Sequence, residues 1–214
     1  MSWMRSQRLS GRKLEIILEE LEKKENPNLI LEQYPTPPRI ASEMLMLAFN
    51  RGDIEGKIVH DLGCGTGILA IGAALLGAEK VIGVDVDPVS VEIARRNSKR
   101  LGVEVEWIVS PIEEYFGKGD TVLQNPPFGV RKKGADMLFL MKALEVGEVI
   151  YSLHKAGNRN FIEGKIGSKG KVLNVIPMMF QMRRVFPFHR EEIHEFPVEL
   201  YVIRRTRDEE KRRS

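Results

Sequence analysis

Alternating glycines and two nearby acids are the first residues whose types and spacing could bind a ligand. Residues 61–67 read DLGCGTG, and such glycines adopt positive φ angles and let a ligand approach the backbone. A dinucleotide-binding turn reads G-x-G-x-x-G, whereas the spacing here is G-x-G-x-G after Asp61, an acid that suits a cationic ligand better than a pyrophosphate. Asp85 ends the next apolar run, where a carboxylate can accept both hydroxyls of an adenosine ribose. These residues predict an adenosine-containing ligand, and an NAD enzyme would use the same acid.

The letters NPPF at residues 125–128 are an unusual way to end a buried strand. They follow directly after the apolar pair Val122-Leu123 and Gln124. Two consecutive prolines do end strands, so a rigid turn is one interpretation. Asn125 has no helix to cap at this point, however, and it stands where open α/β sheets bind their ligands. We therefore predict a catalytic role for Asn125, Pro126, Pro127 and Phe128.

Strand-like and helix-like segments alternate around these residues. Strands are predicted within 57–62, 80–87, 103–110, 120–124, 148–157, 171–182 and 195–206. Helices are predicted over 11–25, 39–52, 68–78, 88–102, 136–147 and about 158–166. The alternation predicts an α/β fold, with a mostly parallel sheet and helices on both faces, and the last two strands predict an antiparallel hairpin. In such a sheet the glycine turn, Asp85 and NPPF all lie at the carboxyl ends of strands, at one edge.

The composition is that of one globular protein. A chain of 214 residues that is 43% hydrophobic suits a single domain over 1–214, with a helical N-terminal segment at about 11–50 and a basic tail at about 206–214. The one cysteine, Cys64, excludes an intramolecular disulfide and a cysteine-based zinc site, and we predict no metal site. Without a signal-type start or about 18 consecutive apolar residues, we expect a cytoplasmic protein that does not bind a membrane.

Positive charge is unevenly placed along the chain. The net charge is only +3, yet basic clusters stand in residues 5–13, at 131–133 directly after NPPF, and near the C-terminus. For any one cluster, solvated surface charge is the simpler interpretation. Their presence at both ends and beside the candidate site favours a polyanionic partner.

DLGCGTG, GVDVD and NPPF, in this order and spacing, resemble the class I S-adenosylmethionine-dependent methyltransferases, and NPPF resembles the subgroup that methylates planar amino nitrogens. With QYPT at 33–36 and YSLHK at 151–155, the chain resembles the methyltransferase-like 5 family, which forms N6-methyladenosine in small-subunit ribosomal RNA. The similarity runs from about Leu31 to about Tyr201. It implies a Rossmann-like sheet of seven strands in the order 3-2-1-4-5-7-6, the last strand antiparallel. It also implies S-adenosyl-L-methionine as cofactor and RNA as substrate.

This resemblance gives NPPF a chemical role. The exocyclic nitrogen of adenine is a poor nucleophile because its lone pair is delocalised into the ring. The side-chain oxygen of Asn125 and the carbonyl of Pro126 could accept its two hydrogens, on a backbone that the proline rings hold rigid. Phe128 could stack on the extruded base, which is worth roughly 1–3 kcal/mol per base. Such alignment requires neither a metal nor a strong general base.

The resemblance also implies a set of cofactor-binding residues. In it, Gln33 and Thr36 reach the methionine end of the cofactor and Tyr34 helps to close the pocket. The full set is Gln33, Thr36, Asp61, Gly63, Cys64, Gly65, Thr66, Gly67, Asp85, Val86, Ile112 and Asn125. One departure concerns the cofactor adenine, because Pro111 stands where the family commonly carries an acid, and Ser110 or the amide of Ile112 could substitute. His154 is interpreted as structural, with substrate contact as the second interpretation.

Other functions and one protein partner remain open from the sequence. A protein glutamine-N5 methyltransferase of the release-factor type uses Asn-Pro-Pro, usually followed by tyrosine. The same motifs also fit a DNA adenine-N6 methyltransferase, or an inactive methyltransferase fold that binds RNA. Eukaryotic members of the family need a zinc-binding activator resembling Trm112. We expect it at the edge of the third strand, where Val103, Val105, Trp107 and Val109 alternate with acids, provided that Val105 and Trp107 are not covered by the chain itself.

Overall fold

The computed structural model describes residues 9–25, 34–128, 134–183 and 193–206. The described helices are α1 (Gly11–Glu19), α2 (Pro38–Asn50), α3 (Ile68–Leu75), α4 (Pro88–Leu101), α5 (Ala135–Val146) and α6 (Arg159–Ile166). The strands are β1 (Ile58–Leu62), β2 (Lys80–Asp85), β3 (Glu106–Val109), β4 (Thr121–Gln124), β5 (Val149–Lys155), β6 (Gly170–Arg183) and β7 (Ile193–Arg205). Short 3₁₀ turns follow β3 and α6, at Ile112–Glu114 and Gly167–Lys169. No helix in these ranges has the length and apolar run needed to cross a bilayer.

Seven strands form one sheet in the order β3-β2-β1-β4-β5-β7-β6, which confirms the predicted order. The strands from β3 to β5 pair in parallel, whereas β7 is antiparallel to both β5 and β6. The register places Asp61 opposite Gly83 and Leu123, so β1, β2 and β4 end at the same edge. This edge therefore receives the three segments that the sequence predicts to act together.

Two apolar clusters cover the two faces of the sheet. One face packs against α1, α2, α3 and α4, with Leu14, Met44, Ile71 and Val91 among its buried side chains. The other packs against α5 and α6, with Leu140 and Ile162 among its buried side chains. Strand side chains alternate between the clusters, as Val122 and Leu123 do, which is the period of a sheet covered on both faces. The predicted helices on both faces are thus confirmed.

Local sequence signals explain where the helices beside the site begin and end. Asp87 caps α4 by accepting from the Val89 amide, Pro88 occupies the first turn, and Gly102 closes the helix in the left-handed conformation. Ser10 caps α1 in the same way, since its side chain accepts from the Lys13 amide. The prediction of one helix over 11–25 is too long, because α1 ends at Glu19 and residues 20–25 turn toward α4 instead.

The third strand buries one of the apolar side chains that were expected to dock an activator, although Val109 at its end is 49% exposed. Trp107 is only 7% exposed, and its ring packs on Gly83 and toward Gly67 while its Nε1 donates to Ser98 Oγ. Val105 is half-buried against the same cluster and precedes the strand, which begins at Glu106. Docking through the Trp107 side chain is therefore wrong, because Gly83 and Gly67 leave a gap that the indole ring of the chain itself fills. Val105 is only partly covered, so an activator at the edge of β3 stays a prediction.

Candidate functional site

A cavity of about 420 Å³ opens at the edge where β1, β2 and β4 end. The predicted residues that line it come from separate segments of the chain. They are Thr36, Gly63, Cys64, Gly65, Thr66, Asp85, Val86, Ile112, Asn125 and Pro127. Among the described residues, Asp61, Gly67, Pro126 and Phe128 were also predicted for the site but do not line this cavity. Gln33 lies outside the described residues.

The glycine turn joins β1 to α3 through three residues with positive φ. The φ angles are +74° at Gly63, +52° at Gly65 and +92° at Gly67, a region that side chains with a Cβ rarely adopt. The amides of Gly63 and Cys64 both donate to the Val84 carbonyl, which ties the turn to β2. The turn therefore holds its backbone against the cavity, where an ordinary residue at these positions would be strained.

Asp85 is held in place at the cavity wall by backbone amides. Its Oδ2 accepts from the Gly65 amide at 2.8 Å, and its Oδ1 accepts from the Asp87 amide at 2.9 Å. Burial raises the pKa of Asp85, and these two hydrogen bonds oppose that shift. Each carboxylate oxygen keeps a second lone pair, so the group can still accept two hydroxyls from a bound ribose. Asp87, by contrast, is occupied with capping α4.

The Asn125 amide is oriented by two acceptors from the QYPT segment. Its Nδ2 donates to Thr36 Oγ1 at 3.0 Å and to the Tyr34 carbonyl at 3.3 Å. Its Oδ1 is buried and has no hydrogen-bond partner among the described residues. An unpaired buried acceptor costs about 1–3 kcal/mol, which a ligand N–H at this position would recover. The side chain is thus a preorganised acceptor at the wall of the cavity.

Pro126 and Phe128, at the end of β4, are buried in the protein and do not line the cavity. Phe128 is only 9% exposed, and its ring centroid lies 5.8 Å from that of Phe180 and 5.5 Å from that of Phe196, edge to face in both pairs. Tyr34, which lines the cavity, is 6.1 Å from Phe128 between centroids. Phe128 therefore belongs to an aromatic cluster behind Tyr34, and its stacking on a base stays a prediction.

Asp61 and Cys64 are buried in or behind the glycine turn. Asp61 is 1% exposed and accepts the Ala70 amide in the first turn of α3 at 2.9 Å. Burial raises the pKa of Asp61 to about 7. Burial also raises the pKa of the Cys64 thiol well above its usual value, so Cys64 packs as a neutral side chain. Direct contact of Asp61 with the cofactor stays a prediction.

Asp61→Asn is expected to stabilise the protein most at neutral and alkaline pH. With a native pKa of about 7 against a usual value of 3.8, the native state keeps a proton that the unfolded chain has released between these values. The free energy of unfolding therefore falls as pH rises through that window, by up to about 1.4 kcal/mol for each pH unit. Asparagine keeps an oxygen for the Ala70 amide without ionising.

Thermal unfolding of both proteins from about pH 4 to about pH 9 tests this expectation. The melting-temperature difference between Asp61→Asn and the wild type should increase up to about pH 7 and then stay constant. A difference that does not vary with pH would show that Asp61 ionises normally.

The turn after β3 forms another part of the cavity wall. The Ser110 amide donates to the Asp85 carbonyl, and the Ser110 hydroxyl donates to the Pro111 carbonyl at 3.0 Å. Ser110, Pro111, Ile112 and Glu113 all line the cavity. Lys142 of α5 supports this wall from behind, since its Nζ donates to the Glu113 and Tyr115 carbonyls. Ser110 and Ile112 are thus both at the cavity, and either could substitute for the family's acid in binding the cofactor adenine.

His154 lies in a buried polar row beside the site and does not line the cavity. Its Nε2 is 2.8 Å from Ser152 Oγ, which also accepts from Gln124 Nε2 at 2.8 Å. Burial lowers the pKa of His154 to about 4, so the ring is neutral at physiological pH. These contacts favour the structural interpretation of His154 over substrate contact.

Several residues of the cavity wall were not predicted from the sequence. Leu21, Lys23 and Lys24 enter from the segment after α1, and Leu138 and Phe139 enter from α5. A Cβ at Gly63 would lie 3.0 Å from Phe139 Cε1, so the glycine turn and α5 pack closely. None of these residues carries a local motif, because each reaches the cavity only through tertiary packing.

Comparison with known proteins points to methyltransferases. Residues 41–125 match the family model for ribosomal protein L11 methyltransferase (PrmA). The rRNA N(6)-adenosine-methyltransferase Mettl5 of Drosophila melanogaster is 37% identical over 206 residues, which cover 91% of this chain and 96% of that protein. An uncharacterised protein of Methanocaldococcus jannaschii is 38% identical over 203 residues, covering 89% and 92% of the two chains.

Solved structures agree with these relatives. A Pyrococcus horikoshii protein, provisionally assigned as an RNA methyltransferase, superimposes with a TM-score of 0.86 and shares 38% sequence identity. The match covers 92% of this chain and 98% of that chain. The fold is thus shared over almost the whole of both molecules.

Proposed function

This chain belongs to the rRNA N(6)-adenosine-methyltransferase (METTL5) family, and from that premise we propose that it methylates the N6 amino group of an adenosine in structured RNA, the small-subunit ribosomal RNA. The observation that carries the proposal is the Asn125 amide, whose Oδ1 is buried at the cavity wall without a partner among the described residues, while its Nδ2 is occupied. An acceptor so placed suits a substrate that presents an N–H, as the adenine amino group does.

The described residues fit S-adenosyl-L-methionine as cofactor. The Asp85 carboxylate would accept the ribose hydroxyls, and the backbone of Gly63 and Gly65 allows close approach. Thr36 and Ile112 both line the cavity. By the family resemblance, Thr36 would face the methionine end and Ile112 would face the adenine. When bound, this cofactor supplies an electrophilic methyl group on its sulfonium sulfur.

The protein's own contribution is orientation. Asn125 Oδ1 accepts one N–H of the adenine amino group, and the Pro126 carbonyl accepts the other, so that the nitrogen lone pair is held in one direction. The amide that does this is neutral, and Thr36 and Tyr34 prevent it from turning its NH₂ toward the substrate. Pro127 lines the cavity beside it and keeps the backbone rigid.

The partners form part of the same proposal. RNA is the polyanion that the basic segments at 5–13 and 131–133 favour, although most of these residues lie outside the described ranges. A Trm112-like activator remains a prediction from the family resemblance, without docking through Trp107. We place the protein in the cytoplasm, where it would meet ribosomal RNA.

A methyl-transfer assay with several candidate substrates tests the proposal. The protein is incubated with methyl-labelled S-adenosylmethionine and with small-subunit rRNA, large-subunit rRNA, duplex DNA or a release-factor peptide, each with and without a Trm112-like protein. We expect label in small-subunit rRNA alone, recovered as N6-methyladenosine after digestion. A need for the second protein would support the activator.

Different outcomes of the assay would contradict the proposal. Label in the peptide alone would favour the protein glutamine-N5 methyltransferase. Label in DNA alone would favour the DNA adenine methyltransferase. No label with any substrate, with or without the second protein, would indicate an inactive RNA-binding fold.

A further inference from the structure

Residues 20–25, which follow α1, form one wall of the cavity, and we call them the strap. Leu21, Lys23 and Lys24 of the strap line the cavity, together with Leu18 from the last turns of α1. Gly65 and Thr66 of the glycine turn line the same cavity. The position of the strap relative to the turn therefore contributes to the shape of the cavity.

Several side chains of α4 and its N-cap hold the strap. Arg100 Nη2 donates to the Glu20 carbonyl at 2.5 Å, and Arg96 makes two bonds to the Glu22 carboxylate at 3.1 and 2.6 Å. Lys24 Nζ bonds to Asp87 Oδ2 at 2.5 Å, at the start of the same helix. These bonds fix the strap to α4, but none of them reaches the glycine turn.

Asn97 of α4 bonds to both the strap and the glycine turn. Its Oδ1 accepts from the Glu22 amide at 2.9 Å, and its Nδ2 donates to the Glu22 carbonyl at 3.1 Å. The same Nδ2 donates to the Thr66 carbonyl at 3.1 Å. The side chain is 1% exposed, so each of these bonds is made away from water.

We propose that Asn97 is a positioning residue for the cofactor site, which ties the strap to the glycine turn and so contributes to the shape of the cavity. The bond at the Thr66 carbonyl also restricts rotation of the peptide unit that joins Thr66 to Gly67. The inference rests on the proposed function, because it assumes that the cofactor fills this cavity. Asn97 itself does not line the cavity.

Asn97→Ala is expected to weaken binding of S-adenosylhomocysteine by roughly 10–100-fold, because it leaves the Glu22 amide and carbonyl and the Thr66 carbonyl without their partner. The dissociation constant is measured by calorimetry, well below the melting temperature, so that lower stability alone would not change it. Arg96→Ala is the matched control. It removes the two half-exposed bonds to the Glu22 carboxylate but leaves the bond to Thr66, and we expect a change of less than about twofold.

Three outcomes of the calorimetry separate this inference from the proposed function. If the wild type binds S-adenosylhomocysteine and Asn97→Ala binds it equally well, the inference is wrong and the proposed function stands. If Arg96→Ala weakens binding as much as Asn97→Ala does, attachment of the strap matters and the link to Thr66 does not, which also overturns the inference. If the wild type does not bind S-adenosylhomocysteine with or without a Trm112-like protein, the proposed function fails.

Hydrogen exchange on the wild-type protein tests the inference without any substitution. The Glu22 amide, which donates to Asn97, should become more protected when S-adenosylhomocysteine binds, together with the amides of residues 65–67. Protection of the glycine turn alone, with unchanged exchange at Glu22, would show that strap and turn are not linked. This measurement decides the question if Asn97→Ala does not fold.

Discussion

Asn125→Ala is expected to lower methyl transfer to RNA by roughly 10²–10³-fold, the effect of removing one preorganised hydrogen-bonding group from an active site. The change removes Oδ1, the buried acceptor that no described residue satisfies, and leaves the glycine turn and Asp85 intact. Single-turnover rates with saturating RNA measure the loss. S-adenosylhomocysteine should bind within about threefold of the wild type, since none of its proposed ribose contacts changes.

Thr36→Val is expected to lower the methyl-transfer rate less than Asn125→Ala does. It removes the hydroxyl that accepts from Asn125 Nδ2 but leaves the Tyr34 carbonyl, so the amide keeps one of its two orienting bonds. We expect a smaller loss, about tenfold in rate, as for one buried hydrogen bond. A near-normal rate in Asn125→Ala would remove the basis of the mechanism. Loss of S-adenosylhomocysteine binding in parallel with rate would show that Asn125 acts as a cofactor ligand, as the family resemblance also implies, and not through the substrate amino group.

The residues that sequence reasoning placed at the carboxyl edge of the sheet share one property. The glycine turn, Asp85 and Asn125 each stand at or directly after the end of a strand, so their position at this edge follows from strand order alone. The turn and cap chemistry of Gly67, Asp87 and Pro88 is likewise local in sequence. Local signals of this kind decide backbone conformation, and a parallel sheet then brings the strand ends together.

The strap and Asn97 could not be predicted in this way. The amphipathic run after Gly11 predicts a helix to residue 25, and its continuation past Glu19 is overridden by bonds to α4 about 75 positions away. Asn97 reads in sequence as one polar residue on the surface of a helix, yet it is buried. Tertiary contacts between residues so far apart leave no periodic pattern.

Trp107 shows how a correct pattern led to a wrong expectation. Alternation of apolar and acidic residues from Val103 to Val109 predicts a strand with one apolar face, and β3 is indeed at the edge of the sheet. The Trp107 ring can pack back onto the protein because Gly67 and Gly83 have no side chains. The signal was present in the two glycines, but it can be interpreted only once β2 and the glycine turn are known to lie beside β3.

Gly67→Ala is expected to lower the free energy of unfolding by about 2–5 kcal/mol, measured by urea denaturation. A Cβ at this position would lie 2.6 Å from Trp107 Cη2 and 3.1 Å from Ala94 Cβ, and the residue has φ of +92°. The left-handed backbone contributes about 1–2 kcal/mol of the loss, and the overpacking against Trp107 contributes about 1–3 kcal/mol. Gly67 does not line the cavity, so its side of the glycine turn packs on the protein and not on a ligand.

Gly52→Ala separates the two contributions. Gly52 also has a positive φ, +78°, but a Cβ there would meet nothing within 4 Å, so we expect only the backbone cost of about 1–2 kcal/mol. Trp107→Phe removes Cη2. In the Gly67→Ala background it should lower the free energy of unfolding by less than it does in the wild type, because it relieves the clash. Additive losses for Gly67→Ala and Trp107→Phe, or equal losses at Gly52 and Gly67, would show that the indole ring does not pack on the glycine turn.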